Sequence, residues 1–302
     1  MESVVARRGT VVALIESMRL HQWAKNLLIF VPLALGGKLT SFEAWWHCFI
    51  GFVAFGVFAS ATYILNHLRD LSADRLHWSK CRRPIARGDL HPVTALAFAT
   101  AGLFLALAIA AQIDRESALL LLAYGLISAA YSLGLKRLPI ADVLTLATLL
   151  TFRLWFGIEL AGLTASPWLL AFGMFIFTSL SLAKRYVEVH RVGILGKQVV
   201  EGRGYLAGDA PLLLGIGSAA AVGAVLLMVV YLIEEAFIEG LYSSPALLWG
   251  MPFIFFLWLG RIWLLAVRNR LDDDPILFAI RDRASVAMGV MTAILFLGAW
   301  QL

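Results

Sequence analysis

Three oxygen-bearing side chains recur at four-residue intervals where a long apolar stretch ends: Asn66, Asp70 and Asp74. On a helix each such step turns the side chain by about 40°, over about 12 Å of rise in all. The three therefore line one face of a helical extension. Two carboxylates and an amide oxygen suit a hard divalent cation, which takes oxygen ligands and keeps several waters for phosphate oxygens. The competing reading is a solvated helix end whose acids balance Arg69 and Arg75. A basic run follows at once, with Lys80, Arg82, Arg83 and Arg87 flanking Pro84 and ending at Gly88. Cations beside a carboxylate–metal face would balance the charge that a diphosphate leaves over. Ordinary positive-inside charge gives the same composition.

Other polar residues stand where hydrocarbon would penalise them. Arg153 lies inside an apolar segment and Asp142 near its end, while Arg19, Gln22, Lys25 and Asn26 cluster at the mouth of another. Charges at such depth usually face a cavity or a partner. For Arg153, a pair with Glu159 or with a backbone carbonyl competes with a role at a ligand. Lys136, and then Lys184, Arg185, Tyr186 and Glu188, bring further polar groups to the same face. Trp155 and Phe156 are aromatic candidates for a lipid groove, with lipid-facing or interhelical packing as the plainer alternative.

The elements that must position these residues are membrane helices. Of 302 residues, 61% are apolar and 15% charged, where a soluble domain carries about 25% charged residues. The mean hydropathy is +0.82. Crossing about 30 Å of hydrocarbon takes about 20 apolar residues. Suitable segments fall at 22–36, 43–67, 91–113, 117–135, 139–162, 167–187, 211–233, 246–267 and 284–302. The expected fold is an all-α membrane protein, one unit over 1–302, with nine transmembrane helices around a central cavity. Residues 3–18 are expected to form an interfacial amphipathic helix, and loops 68–90 and 188–210 to cap the cytoplasmic face.

Charge sets the orientation. With nine spans, 22 of the 25 Lys and Arg fall on the side of the N-terminus. Glu43, Asp114, Glu116, Glu234, Glu235 and Glu239 fall on the other. The positive-inside rule then places the N-terminus in the cytoplasm and the C-terminus outside. No cleavage-site pattern follows Arg7 and Arg8, so no removable signal peptide is expected. Cys48 and Cys81 imply neither a disulfide framework nor a metal cluster. Basic residues confined to short loops argue against nucleic acid as a partner.

The acidic face and basic run resemble the UbiA superfamily of intramembrane prenyltransferases. That superfamily's first acidic motif, Asn-Asp-x-x-Asp-x-x-x-Asp followed by a basic run ending Arg-Pro, corresponds here to Asn66, His67, Asp70 and Asp74, then Lys80 to Pro84. Residues 19–26 (Arg-Leu-His-Gln-Trp-Ala-Lys-Asn), 182–188 (Leu-Ala-Lys-Arg-Tyr-Val-Glu) and 279–283 (Ala-Ile-Arg-Asp-Arg) are similar to the decaprenyl-phosphate phosphoribosyltransferase branch. The resemblance implies transfer of 5-phosphoribose from phosphoribosyl diphosphate to a polyprenyl phosphate. It also implies Mg²⁺ at Asn66, Asp70 and Asp74, with Lys80, Arg82 and Arg83 on the diphosphate. Lys25, Asn26, Lys136, Lys184 and Arg185 are then expected near the lipid phosphate, with Asp142, Arg153 and Tyr186 lining the site.

Two departures stand out. His67 replaces the motif's first Asp, and imidazole is a poor Mg²⁺ ligand. The loop after the sixth span holds only Glu188, Glu201 and Asp209, spread among Lys184, Arg185, Arg191, Lys197 and Arg203. A basic loop there suits a second anionic substrate better than a second metal-bound diphosphate. Prenyl transfer from a polyprenyl diphosphate to a small acceptor is the first alternative. A non-catalytic polyprenyl-phosphate carrier is the second.

Overall fold

The computed structural model describes residues 9–76, 80–200, 202–237, 240–272 and 274–301. Helix α1 (Thr10–Met18) leads through Arg19, in the left-handed region at φ 54°, into a 3-10 segment, Leu20–Ile29, and then α2 (Phe30–Leu35). There follow α3 (Phe42–Arg69), α4 (Leu71–Leu76), α5 (Pro84–Arg87), α6 (Pro92–Ile113), α7 (Arg115–Leu133) and α8 (Ala141–Leu160). The chain closes with α9 (Pro167–Ile194), α10 (Ala210–Tyr231), α11 (Gly250–Val267), α12 (Pro275–Arg281) and α13 (Arg283–Gln301). Among the described residues the only strand-like pairing is a bridge between Val199 and Leu206. Of the expected interfacial helix, residues 3–8 lie outside the described residues. Thr10–Met18 is helical and leaves Val11, Val12 and Ile15 exposed.

Eight helices among the described residues are long and apolar enough to cross a membrane. The protein is a multi-pass integral membrane protein. The first expected span differs in kind. It is built of ten 3-10 residues followed by six α-helical ones. A 3-10 helix rises about 2.0 Å per residue against about 1.5 Å, so these 16 residues extend about 29 Å and match the hydrocarbon thickness.

The same geometry sorts the side chains. At three residues per turn, positions i and i+3 eclipse. Asn26 and Ile29 are buried in line with Trp23, whose indole N–H donates to Ser60 Oγ at 3.0 Å. Lys25, Leu28 and Val31 form the row that faces the cavities.

Helices α3 and α9 each run 28 residues, about 42 Å, and so outreach the hydrocarbon. Each starts on a serine cap: Ser41 accepts from Ala44 N at 3.2 Å, and Ser166 from Leu169 N at 2.9 Å. Their overhanging C-terminal turns carry Asn66 to Arg69 and Glu188 to Ile194. With α8 they form the centre, since half or more of each apolar stretch is buried, against 17–33% for the other spanning helices. The outer helices show Phe104, Leu126, Leu226, Phe253 and Ile294 to the lipid.

Candidate active site

The acidic motif sits where α3 ends. Asp70 N donates to Asn66 O at 3.0 Å and Asp74 N to Asp70 O at 2.8 Å, so the i to i−4 ladder passes through the break into α4. The side chains diverge, however. The Asp74 side chain is 4% exposed and takes a hydrogen bond from Arg83 Nη1 at 2.6 Å. Asp70 is 37% exposed, with Arg69 at 3.1 Å and Lys136 at 3.5 Å. Burial pushes the Asp70 carboxyl up, but the Arg69 hydrogen bond and the Lys136 charge outweigh it and hold the group below the usual carboxylate range. Asp74 is thus buried against Arg83, while Asp70 stays at the aqueous edge beside Arg69 and Lys136. His67 is 7% exposed and its Nδ1 has no hydrogen-bond partner.

Among the described residues no three His, Cys, Asp or Glu side chains cluster as a ready metal site. The donors fit a cation that arrives with its ligand. Magnesium keeps most of its waters and commonly uses one or two carboxylates plus substrate phosphates. Asp70 and Asp74 are two hard anions already neutralised by Arg69, Lys136 and Arg83, the kind of groups a diphosphate can re-pair. Arg82 and Lys80 are exposed beside them.

A polar pocket of about 130 Å³ opens further in, lined by Lys25, Tyr63, Tyr124, Arg153, Lys184 and Asp274 among others. Lys25 Nζ donates to Asp274 Oδ2 at 2.5 Å. Arg153 is held from several sides. Its Nε donates to Asn26 Oδ1 at 3.0 Å, one Nη to the Leu149 carbonyl at 2.5 Å and the other to Tyr124 Oη at 3.1 Å. The carbonyl alternative expected for Arg153 is thus realised, and the guanidinium also lies 4.9 Å from the Phe55 ring. Tyr63 lines the polar pocket. It precedes Asn66 by three residues and Asp70 by seven, on the same side of α3.

The polar pocket shares Leu180 and Ile276 with an apolar cavity of about 500 Å³. Leu28, Leu154, Phe172, Met251 and Phe296 are among its walls. Trp155 and Phe156 are not. Trp155 is partly exposed at the surface and Phe156 is buried against Phe55, as the packing alternative anticipates.

Three expected site residues serve the scaffold instead. Arg185 and Asp142 are both fully buried and pair at 2.6 Å, and Arg185 also holds Glu188. Tyr205 Oη donates to Asp142 Oδ1 at 2.6 Å and accepts from Ile140 N at 2.7 Å, which pins the loop after α9 against α8. Tyr186 stacks on His190 and meets Trp263 edge-on in the core. None of the three lines the polar pocket or the apolar cavity. Lys184, on the opposite side of that turn, does.

Sequence reasoning passed over Asp274, Tyr63, Tyr124 and Tyr205. The Asp274-Pro275 pair is a helix-start signal, and Tyr63 shares the period of the acidic face. Tyr124 and Tyr205 carry no such local signal.

The sequence profile of the UbiA prenyltransferase family matches residues 27–282. The chain belongs to this family. The protein y4nM of Sinorhizobium fredii is 43% identical over 282 residues, 93% of this chain and 55% of that protein. Decaprenyl-phosphate phosphoribosyltransferase of Mycobacterium tuberculosis is 32% identical over 184 residues, 60% of this chain and 61% of that protein. The chain thus spans little more than half the length of either relative. A UbiA homolog from Archaeoglobus fulgidus, solved with GPP and Mg²⁺, superposes with a TM-score of 0.69 at 17% identity, over 95% of this chain and 98% of that one. That likeness establishes the UbiA fold, nearly all-helical around a central cavity.

Proposed function

We propose that the protein transfers 5-phosphoribose from phosphoribosyl diphosphate to a polyprenyl phosphate at the cytoplasmic face, releasing diphosphate. The observation that carries this reading is the junction of two cavities. A cationic pocket with Lys25, Lys184 and Arg153 adjoins an apolar cavity and shares Leu180 and Ile276 with it. Such a junction suits a lipid whose headgroup is an anion. The name of the mycobacterial relative supports phosphoribosyl transfer to a polyprenyl phosphate, and the archaeal homolog solved with Mg²⁺ supports that cation.

Asp70 and Asp74, with Asn66, would hold Mg²⁺, which supplies charge stabilisation to the departing diphosphate. Lys80, Arg82 and Arg83 pair with the oxygens where negative charge develops. Lys25 and Lys184 hold the lipid phosphate, and Arg153 orders Asn26 and Tyr124 around it. An oxygen of that phosphate forms the new bond to the ribose C1 as the bond from C1 to the diphosphate oxygen breaks, and the electron pair leaves with diphosphate. No protein base is required, because the phosphate nucleophile is already ionised.

Membranes containing the protein are incubated with labelled phosphoribosyl diphosphate, polyprenyl phosphate and Mg²⁺. Label is expected in the lipid fraction, and chelation abolishes it. Label that stays aqueous, while a polyprenyl diphosphate is consumed with a small acceptor, assigns the protein to prenyl transfer instead.

A further inference from the structure

The wall between the apolar cavity and the aqueous side is α12, and its two ends are fastened differently. At the far end Arg261 grips Asp282 with two bonds, at 2.6 and 2.9 Å. Asp282 also caps α13 through Ser285 N at 2.8 Å. At the near end Asp274 joins the start of α12 to Lys25. One carboxylate oxygen accepts from Ile276 N and Leu277 N at 3.2 and 3.4 Å and so starts α12, and the other takes Lys25 at 2.5 Å. Ile276 and Ala279 line the apolar cavity, while Leu277, Phe278 and Arg281 line an outer vestibule. Asp274 itself borders both the polar pocket and the vestibule.

Lys25 thus already has a carboxylate partner in the pocket where a lipid phosphate would bind. Lys184 lines the same pocket and makes no ion pair within 4 Å among the described residues. A phosphate that takes Lys25 competes with Asp274 and frees the near end of α12, whereas the Arg261–Asp282 end stays fixed.

We propose that Asp274 is a positioning residue that competes with the lipid phosphate for Lys25, so that the α12 strap is released when an anionic headgroup takes its place. The strap then responds to headgroup charge, since a neutral polyprenol leaves Lys25 on Asp274. This rests on the reading that Lys25 binds the lipid phosphate.

Asp274→Asn is the informative variant, because Asn caps a helix about as well as Asp but carries no charge. Binding of a short-chain polyprenyl phosphate and of the matching polyprenol is measured on the full detergent-solubilised chain. A latch closed nine-tenths of the time lowers apparent affinity about tenfold. Asp274→Asn is therefore expected to bind the phosphate about tenfold more tightly, with polyprenol binding unchanged and the KM for the lipid lowered. In a Leu277→Cys variant, at the vestibule side of the strap, a water-soluble maleimide is expected to react faster once polyprenyl phosphate is added, and not with polyprenol. Unchanged phosphate affinity in Asp274→Asn, or equal weakening for both lipids, overturns the proposal. The binding measurement needs no phosphoribosyl diphosphate. A selective gain without sugar transfer would sink the proposed reaction and keep the latch; transfer without the gain would do the reverse.

Discussion

The two motif carboxylates sit in different surroundings, and their replacement should separate accordingly. Asp70→Asn and Asp74→Asn are both expected to cost 10²–10³ in turnover, about 2.7–4 kcal/mol of transition-state stabilisation. Only Asp74→Asn should also lower the melting temperature, since it leaves Arg83 facing a neutral partner in a largely buried site. Full activity in either variant removes that residue from the site. Acidity gives a second test. The Asp70 carboxyl is held below its ordinary value of 3.8 by Arg69 and Lys136 against the effect of burial. A depressed carboxyl contributes fully above the ordinary value, and its contribution is lost as pH falls through the depressed one. The rate should therefore be flat from about pH 5 to 8 with respect to this group. A pH limb that disappears in His67→Gln would instead put the imidazole into the reaction.

At the scale of elements, the contact that sets the site is between the 3-10 segment and α8. Gly157 lies so close to Ile29 that an added Cβ would stand 2.1 Å from its carbonyl oxygen. Backbone cannot yield as a side chain can. Arg153, one turn before Gly157, reaches Asn26, one 3-10 turn before Ile29. Gly157→Ala should therefore push the segment away from α8. A loss of about 1–3 kcal/mol is expected from overpacking, measured as a lower melting temperature in detergent, together with weaker lipid binding through Lys25. Unchanged stability would mean that the two elements are not rigidly registered. Trp23 against Gly56 is a milder version of the same device, since there a ring rather than a carbonyl meets the glycine.

For the whole molecule, the positive-inside pattern and the overhang of α3 and α9 put the chemistry on one side of the bilayer. Single cysteines at Lys80 and Gln198 should react with an impermeant reagent only from the cytoplasmic side, and one at Ser243 only from outside. All three are exposed positions. Reaction of 80 and 198 from opposite sides would break the nine-crossing topology, because four spans separate them. The even number of crossings between them keeps both positions on one side.

The sequence by itself determined the membrane class, the succession of crossings, the acidic motif and the basic run after it. These are local or periodic signals, carried by apolar run length, by four-residue spacing and by charge in loops. It also marked Arg153 and Lys25 as polar residues where lipid would punish them. Which cations are free for a substrate was decided by packing. Lys184 and Arg185 are neighbours in sequence, yet a turn of about 100° sends one into the pocket and the other into a dry pair with Asp142. Asp274 lies 249 residues from the lysine it holds. No local pattern can specify such a partner; only the closing of the last helices against the first segment brings the two charges together.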